Sequence, residues 1–153
     1  MRKSSGIYLV LFFLLASCSE SPLYEKVYSF KDREWKQDVK LTYDVEIEDV
    51  NKAYNFTLSL RTTTNYKYSN LWVFMKTESP DGTIAREPFE IMITDENGTW
   101  IGNKTGSIVE TSLYFKKRKL PINGKYSFTI EQAITASAID EVLDLGFTVA
   151  KEK

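Results

Sequence analysis

Histidine is absent from this 153-residue chain, and cysteine occurs once, at Cys18. Without imidazole there is no histidine-based catalytic triad and no zinc site of the usual nitrogen-ligated kind. With a single thiol, no disulfide can form within the chain, so the fold must rest on its core. No glycine-rich phosphate loop is present. The longest apolar run, Ile7 to Ala16, is half of the roughly 20 residues that a membrane-spanning helix requires. Enzymatic chemistry would have to be assembled from carboxylates, lysines, tyrosines and hydroxyls.

The short apolar run has a defined context. Arg2 and Lys3 precede it, and Leu15-Ala16-Ser17-Cys18 follows it. A basic start, a short apolar segment and a pair of small residues are the parts of a cleavable signal peptide. A cysteine directly after the small pair makes this a lipobox: its thiol takes a diacylglycerol before the bond ahead of it is cut. Residues 1–17 are therefore expected to be a signal peptide, with the mature protein starting at lipidated Cys18. Two or three acyl chains at about 0.8 kcal/mol per buried methylene hold a protein on a membrane essentially permanently, where one chain does not. Ser19 to Pro22 forms a short polar tether, and residues 23–153 are expected to be one domain. Loss of Arg2 and Lys3 lowers the basic count from 20 to 18 against 21 acids, a net charge of about −3. That balance implies neither a nucleic acid nor an anionic membrane surface as a partner.

Along the mature chain the period of two dominates. Leu41, Tyr43, Val45 and Ile47 alternate with Thr42, Asp44, Glu46 and Glu48, and Tyr54, Phe56, Leu58 and Leu60 alternate with Asn55, Thr57, Ser59 and Arg61. Both read as strands with one buried face. Tyr126, Phe128 and Ile130 repeat the pattern, as do Leu143, Leu145, Phe147 and Val149, and Tyr24 to Phe30 suits a first strand. Leu71 to Met75 is apolar at every position, which predicts a strand covered on both faces. Pro88 makes Thr83 to Ile93 an edge strand or two short strands. Ser107 to Phe115 is a further strand, and Ser79 to Gly82, Asp95 to Gly98 and Asn123-Gly124 are turns. Ala133 to Leu143 predicts a long connection with at most a helical turn. Whether Asp49 to Ala53 closes a hairpin or carries the chain to a second sheet stays open. The predicted class is all-β, an antiparallel sandwich of jelly-roll type with little helix.

Candidate site residues are few. Asp44, Glu46 and Glu48 share one strand face, but oxygens at every second residue of a flat strand do not converge into the six to eight ligands that calcium takes, so a solvated acidic face is expected. Trp72 falls in the doubly apolar strand and is expected in the core. Trp100, between Gly98 and Gly102 in a turn-rich segment, is the better candidate of the two for an exposed contact with a partner or a sugar ring, a structural role being the alternative. Lys116 to Lys119 reads as an edge guard, with anionic lipid or an acidic partner as the alternative. Ile130-Glu131-Gln132 is expected to hold a sheet corner through hydrogen bonds. No catalytic, metal or cofactor site is assigned.

The chain also resembles a known family. The lipobox, Asn70-Leu71-Trp72 running into Ser79-Pro80-Asp81-Gly82, Gly98-Thr99-Trp100-Ile101-Gly102, Leu120-Pro121, Gly124-Lys125-Tyr126-Ser127-Phe128, Ile130-Glu131-Gln132-Ala133 and Asp144-Leu145-Gly146-Phe147 occur in an order similar to that of the gliding motility lipoprotein GldH family of Bacteroidetes. The resemblance implies a non-enzymatic outer-membrane lipoprotein of the gliding machinery, tied to type IX protein secretion. It implies contacts with other gliding or secretion envelope proteins, and no cofactor. A glycan-binding surface module is the alternative.

Overall fold

The structure, a computed structural model, describes residues 21–152. Cys18 and the signal segment lie outside those residues. The described strands are β1 (Tyr24–Ser29), β2 (Glu34–Lys36), β3 (Leu41–Ile47), β4 (Ala53–Thr63), β5 (Asn70–Glu78), β6 (Ile84–Met92), β7 (Asn103–Thr105), β8 (Ile108–Lys119), β9 (Gly124–Gln132), β10 (Ala138–Asp140) and β11 (Val142–Lys151). A single 3-10 turn, Lys31–Arg33, joins the first two. No helix among these residues is long and apolar enough to cross a membrane.

Two antiparallel sheets face each other, one ordered β1-β11-β4-β8-β7 and the other β3-β9-β5-β6. Apart from the β5–β6 hairpin and the short pieces β2, β7 and β10, successive strands alternate between the sheets, which is the jelly-roll winding. The segment after Ile47 is thus a crossover from β3 to β4 in the opposite sheet. β6 is an edge strand, where the missing amide of Pro88 interrupts no inner ladder. The β5–β6 turn closes at Ser79 to Gly82, with the Gly82 amide donating to the Ser79 carbonyl at 2.9 Å and Gly82 at φ +83.

The alternating residues fill the space between the sheets. Leu41, Tyr43, Val45 and Ile47 of β3 meet Tyr54, Phe56, Leu58 and Leu60 of β4, all buried. Phe147 of β11 lies centrally, its ring 5.1 Å from Tyr43, 5.1 Å from Phe128 and 5.9 Å from Phe56. Aromatic rings bring large apolar area, but buried tyrosine and tryptophan need a partner for the polar tip. Each finds a carbonyl: Tyr43 donates to Leu145 at 2.9 Å, Tyr54 to Asp49 at 2.8 Å, and Trp35 Nε1 to Val39 at 2.9 Å.

Three expectations need correction. In β5 only Leu71, Val73 and Met75 are buried, while Trp72 is 42% exposed. Phe74, on the same outer face, is covered by Arg86, whose guanidinium carbon lies 3.6 Å from the ring centroid. An apolar residue shielded by a cation thus mimics a second buried face. The connection expected at Ala133 to Leu143 contains no helical turn; β10 within it pairs with β2, Ile139 opposite Trp35. The strand from Ser107 continues past Phe115 through the basic run. Opposite Asn55 two residues, Lys116 and Lys117, face one; this β-bulge sets Lys117 at φ 54 and brings its amide to the Asn55 Oδ1 at 2.9 Å.

Candidate functional site

The outer face of the four-stranded sheet carries a grouping of polar and aromatic side chains. Register fixes its rows: Phe74 of β5 stands between Glu131 of β9 and Pro88 of β6, and Lys76 between Thr129 and Arg86. Glu131 is the hub. Lys40, just before β3, reaches it at 2.8 Å and Arg86 at 3.1 Å, so one half-buried carboxylate ties three strands. The hydrogen bond from Lys40, followed by that from Arg86, outweighs burial and holds the Glu131 carboxyl below its ordinary range. One row further along β5, Trp72 stands opposite Glu90, and Glu90 accepts from the Asn70 amide.

Toward the β5–β6 turn the same face sinks into a depression of about 580 Å³, lined by Thr42, Asp44, Lys125, Ser127, Glu78 and Pro80 among others. β9 contributes Lys125 and Ser127 to it, and beside it the Thr129 hydroxyl meets that of Thr42 at 3.3 Å. Asp44 accepts from Ser127 Oγ at 2.8 Å and faces the Lys125 ammonium at 3.9 Å. The acidic row Asp44, Glu46 and Glu48 is exposed, and its Asp44 is paired sideways to a hydroxyl and an amine.

The tryptophans exchange the places expected of them. Trp100, the candidate for an exposed contact, is half-buried against the core. Its loop is pinned by a bridge to Thr94 and by the Ile101 amide donating to the Ile93 carbonyl at 2.9 Å. Turn composition around Trp100 signalled a loop without revealing that the loop folds back on the sandwich. Gly102 is what lets it do so: a Cβ there would lie 2.0 Å from the Glu110 carbonyl oxygen. Trp72 is the exposed indole, and it shares its face with Glu131 and Arg86.

Gln132 behaves as a corner residue. It is buried, its amide nitrogen 3.5 Å from the Trp35 carbonyl and its oxygen accepting from the Ile134 amide at 3.3 Å. Lys116 to Lys119 are exposed along the part of β8 that β7 does not cover, since β7 pairs only with Ile108 to Glu110. Charge on an open strand edge opposes pairing with another chain. On the opposite sheet sequence reasoning passed over one pair. Arg61 of β4 grips Asp144 of β11, Nε at 2.8 Å from Oδ1, in a depression of about 180 Å³ that also takes in Glu25, Glu110 and Gly146. Nothing local connects residues 83 positions apart, so only pairing of the strands reveals it.

Comparison with known proteins bears on the whole of this chain. The GldH lipoprotein family model matches residues 22–149. The gliding motility lipoprotein GldH of Flavobacterium johnsoniae is 31% identical, with 98% of each chain covered. A GldH homolog from Christiangramia forsetii is 27% identical, covering 99% of this chain and 98% of its own. Among solved structures, TmCBM61 in complex with β-1,4-galactotriose matches at 12% identity and a TM-score of 0.35 over 84% of this chain and 88% of that one. The infectious bursal disease virus Gx strain structure matches at 12% identity and a TM-score of 0.30 over 86% and 32%. Those two similarities are too distant to bear on ligand or assembly. With a family model filled from residue 22 to residue 149 and relatives aligned over nearly their whole length, the chain belongs to the GldH lipoprotein family.

Proposed function

We propose that this protein, a gliding motility lipoprotein by family, is held at the outer membrane through lipid on Cys18. There it acts by protein contacts within the gliding apparatus, in functional connection with type IX secretion and without catalysis of its own. Full-length similarity to gliding motility lipoproteins carries the reading. Ser19 supports the outer membrane, because aspartate after the lipidated cysteine is the residue that favours retention at the inner one. The exposed face with Trp72, Arg86 and Glu131 is the surface offered for contact, since tryptophan and arginine dominate protein interfaces where they are flanked by satisfied polar groups. Affinity capture of the lipidated protein from its native envelope is expected to recover motility or secretion components. Recovery of none above background counts against the reading.

A glycan-binding role is the second reading, and one observation favours it: an indole 42% exposed on a sheet face, beside Asn70 and Glu90. A sugar ring stacks its C–H face on an aromatic platform while neighbouring amides and carboxylates take its hydroxyls. The contact assigned by sequence to Trp100 passes to Trp72. Saturable binding of polysaccharide fragments that is lost on Trp72→Ala and kept on Trp100→Phe supports it; absence of binding leaves the protein-contact reading.

A further inference from the structure

We infer that the domain rests on the membrane by one defined end, with Lys116 to Lys119 against lipid headgroups of net negative charge. This rests on the lipid anchor proposed above and adds an orientation and a second contact to it. The argument starts from where the chain enters the fold. Tyr24 pairs with Val149 of β11, Val149 with Phe56 of β4, and Phe56 with Phe115 of β8. Walking back along β1 from Tyr24 toward Cys18 is therefore walking forward along β11 to Lys151 and along β8 into the basic run; Lys151 lies opposite Tyr54, and Tyr54 opposite Arg118. The tether and the four cations leave the sandwich at the same end.

Reach permits the contact. From β1 to β8 is three strand spacings, about 14 Å at roughly 4.8 Å each. The six residues from Cys18 to Tyr24 span at most about 20 Å when extended. An anchor on so short a lead keeps this end at the surface, whereas the other end, with β7 and the Arg61–Asp144 pair, stands a strand length away.

Chemistry selects the occupant. Lys116, Lys117, Arg118 and Lys119 are all exposed, and among the described residues only Lys117 has an acidic partner, Glu152 at 3.8 Å. Exposed Lys52 and Lys151 belong to the same end, as do the exposed apolar side chains of Leu23 and Val50. Basic side chains around a short lipid tether are the arrangement that meets anionic headgroups, with apolar residues at the interface. Of the acids at this end, Glu46, Glu48, Asp49, Glu78 and Asp81 sit on β3, β5 and the connections leading from the other sheet, and Glu152 alone lies beside the basic run, where it pairs with Lys117; four cations against one acid make β8 the side that tips toward the lipid. Net charge alone gave no indication of this, because it averages over both ends.

The test uses the full-length lipidated protein reconstituted into vesicles, either of phosphatidylcholine alone or of equimolar phosphatidylcholine and phosphatidylglycerol. Co-flotation reports the anchor; the rate of lysine acylation by a water-soluble reagent, read by mass spectrometry, reports the contact. Lys116, Lys117 and Lys119 are expected to react several-fold more slowly on the anionic vesicles, with Lys104 at the far end unchanged, and the difference is expected to vanish in about 1 M salt, where screening shortens to about 3 Å. A variant carrying Lys116→Glu, Arg118→Glu and Lys119→Glu keeps Lys117, which the bulge holds at φ 54, and is expected to float equally while Lys117 loses its protection. Equal rates on both vesicles with intact flotation overturn the inference alone, as does protection that survives in the variant. Failure of the unaltered protein to float overturns the anchor and the inference together.

Discussion

At the scale of single residues, the structure is most sensitive where the backbone of one segment meets another. Gly102→Ala would drive a Cβ to 2.0 Å from the Glu110 carbonyl and 2.6 Å from the Thr111 hydroxyl, which the β8 backbone cannot yield. The expected cost is about 2 kcal/mol or more, with the Trp100 loop lifted off the core; urea unfolding and tryptophan fluorescence measure both. Glu131→Gln is milder, about 1 kcal/mol, because its cationic partners are solvated. Its signature is pH. A carboxyl whose folded pKa lies below its unfolded value contributes stability above about pH 4.3, and that contribution is lost as pH falls through the lowered value. The variant is therefore expected to converge on the parent protein in acid and to differ most near neutrality, in unfolding titrations across about pH 3 to 7. Trp72→Ala should change stability by no more than about 0.5 kcal/mol, since a surface side chain gives up little on truncation. A melting-temperature drop typical of a core tryptophan would contradict the exposed placement.

At the scale of elements, alternation reports burial only when the outer face is polar. β3, β4 and β9 meet that condition and are legible as written. β5 does not: Trp72 and Phe74 face outward, one open and one under Arg86, so the strand reads as doubly covered. β10 escapes notice for another reason. Three residues have no period, and the strand exists because Ile139 and Trp35 are buried as partners. β11 is the opposite case, a legible strand whose weight comes from position. It lies between β1 and β4 and sends Phe147 into the central aromatic cluster, 0% exposed. Phe147→Ala is expected to cost about 3–5 kcal/mol, a large share of the roughly 5–15 kcal/mol by which such domains are stable, measured as a shift of the urea midpoint at unchanged slope.

At the scale of the molecule, the proposed anchor and the described fold belong to different parts of the chain. Cys18→Ala removes the proposed acyl acceptor and changes no residue of the sandwich, so it is expected to move the protein from the membrane to the soluble fraction with its unfolding curve unchanged; fractionation of the envelope checks the first and thermal denaturation of the purified variant the second. Legible in the amino-acid order alone are the motif read as a lipobox, the all-β class and the strands with one polar face, because each is written in neighbouring residues: a hydrophobic run before a cysteine, or a period of two. The winding of two sheets, the exchange of Trp72 for Trp100 as the exposed indole, the Arg61–Asp144 grip, and the meeting of the basic run with the start of β1 at one end emerge only on folding. Each of these is a relation between residues far apart in the chain, and pairing energy between strands, which local composition does not encode, sets which of them become neighbours.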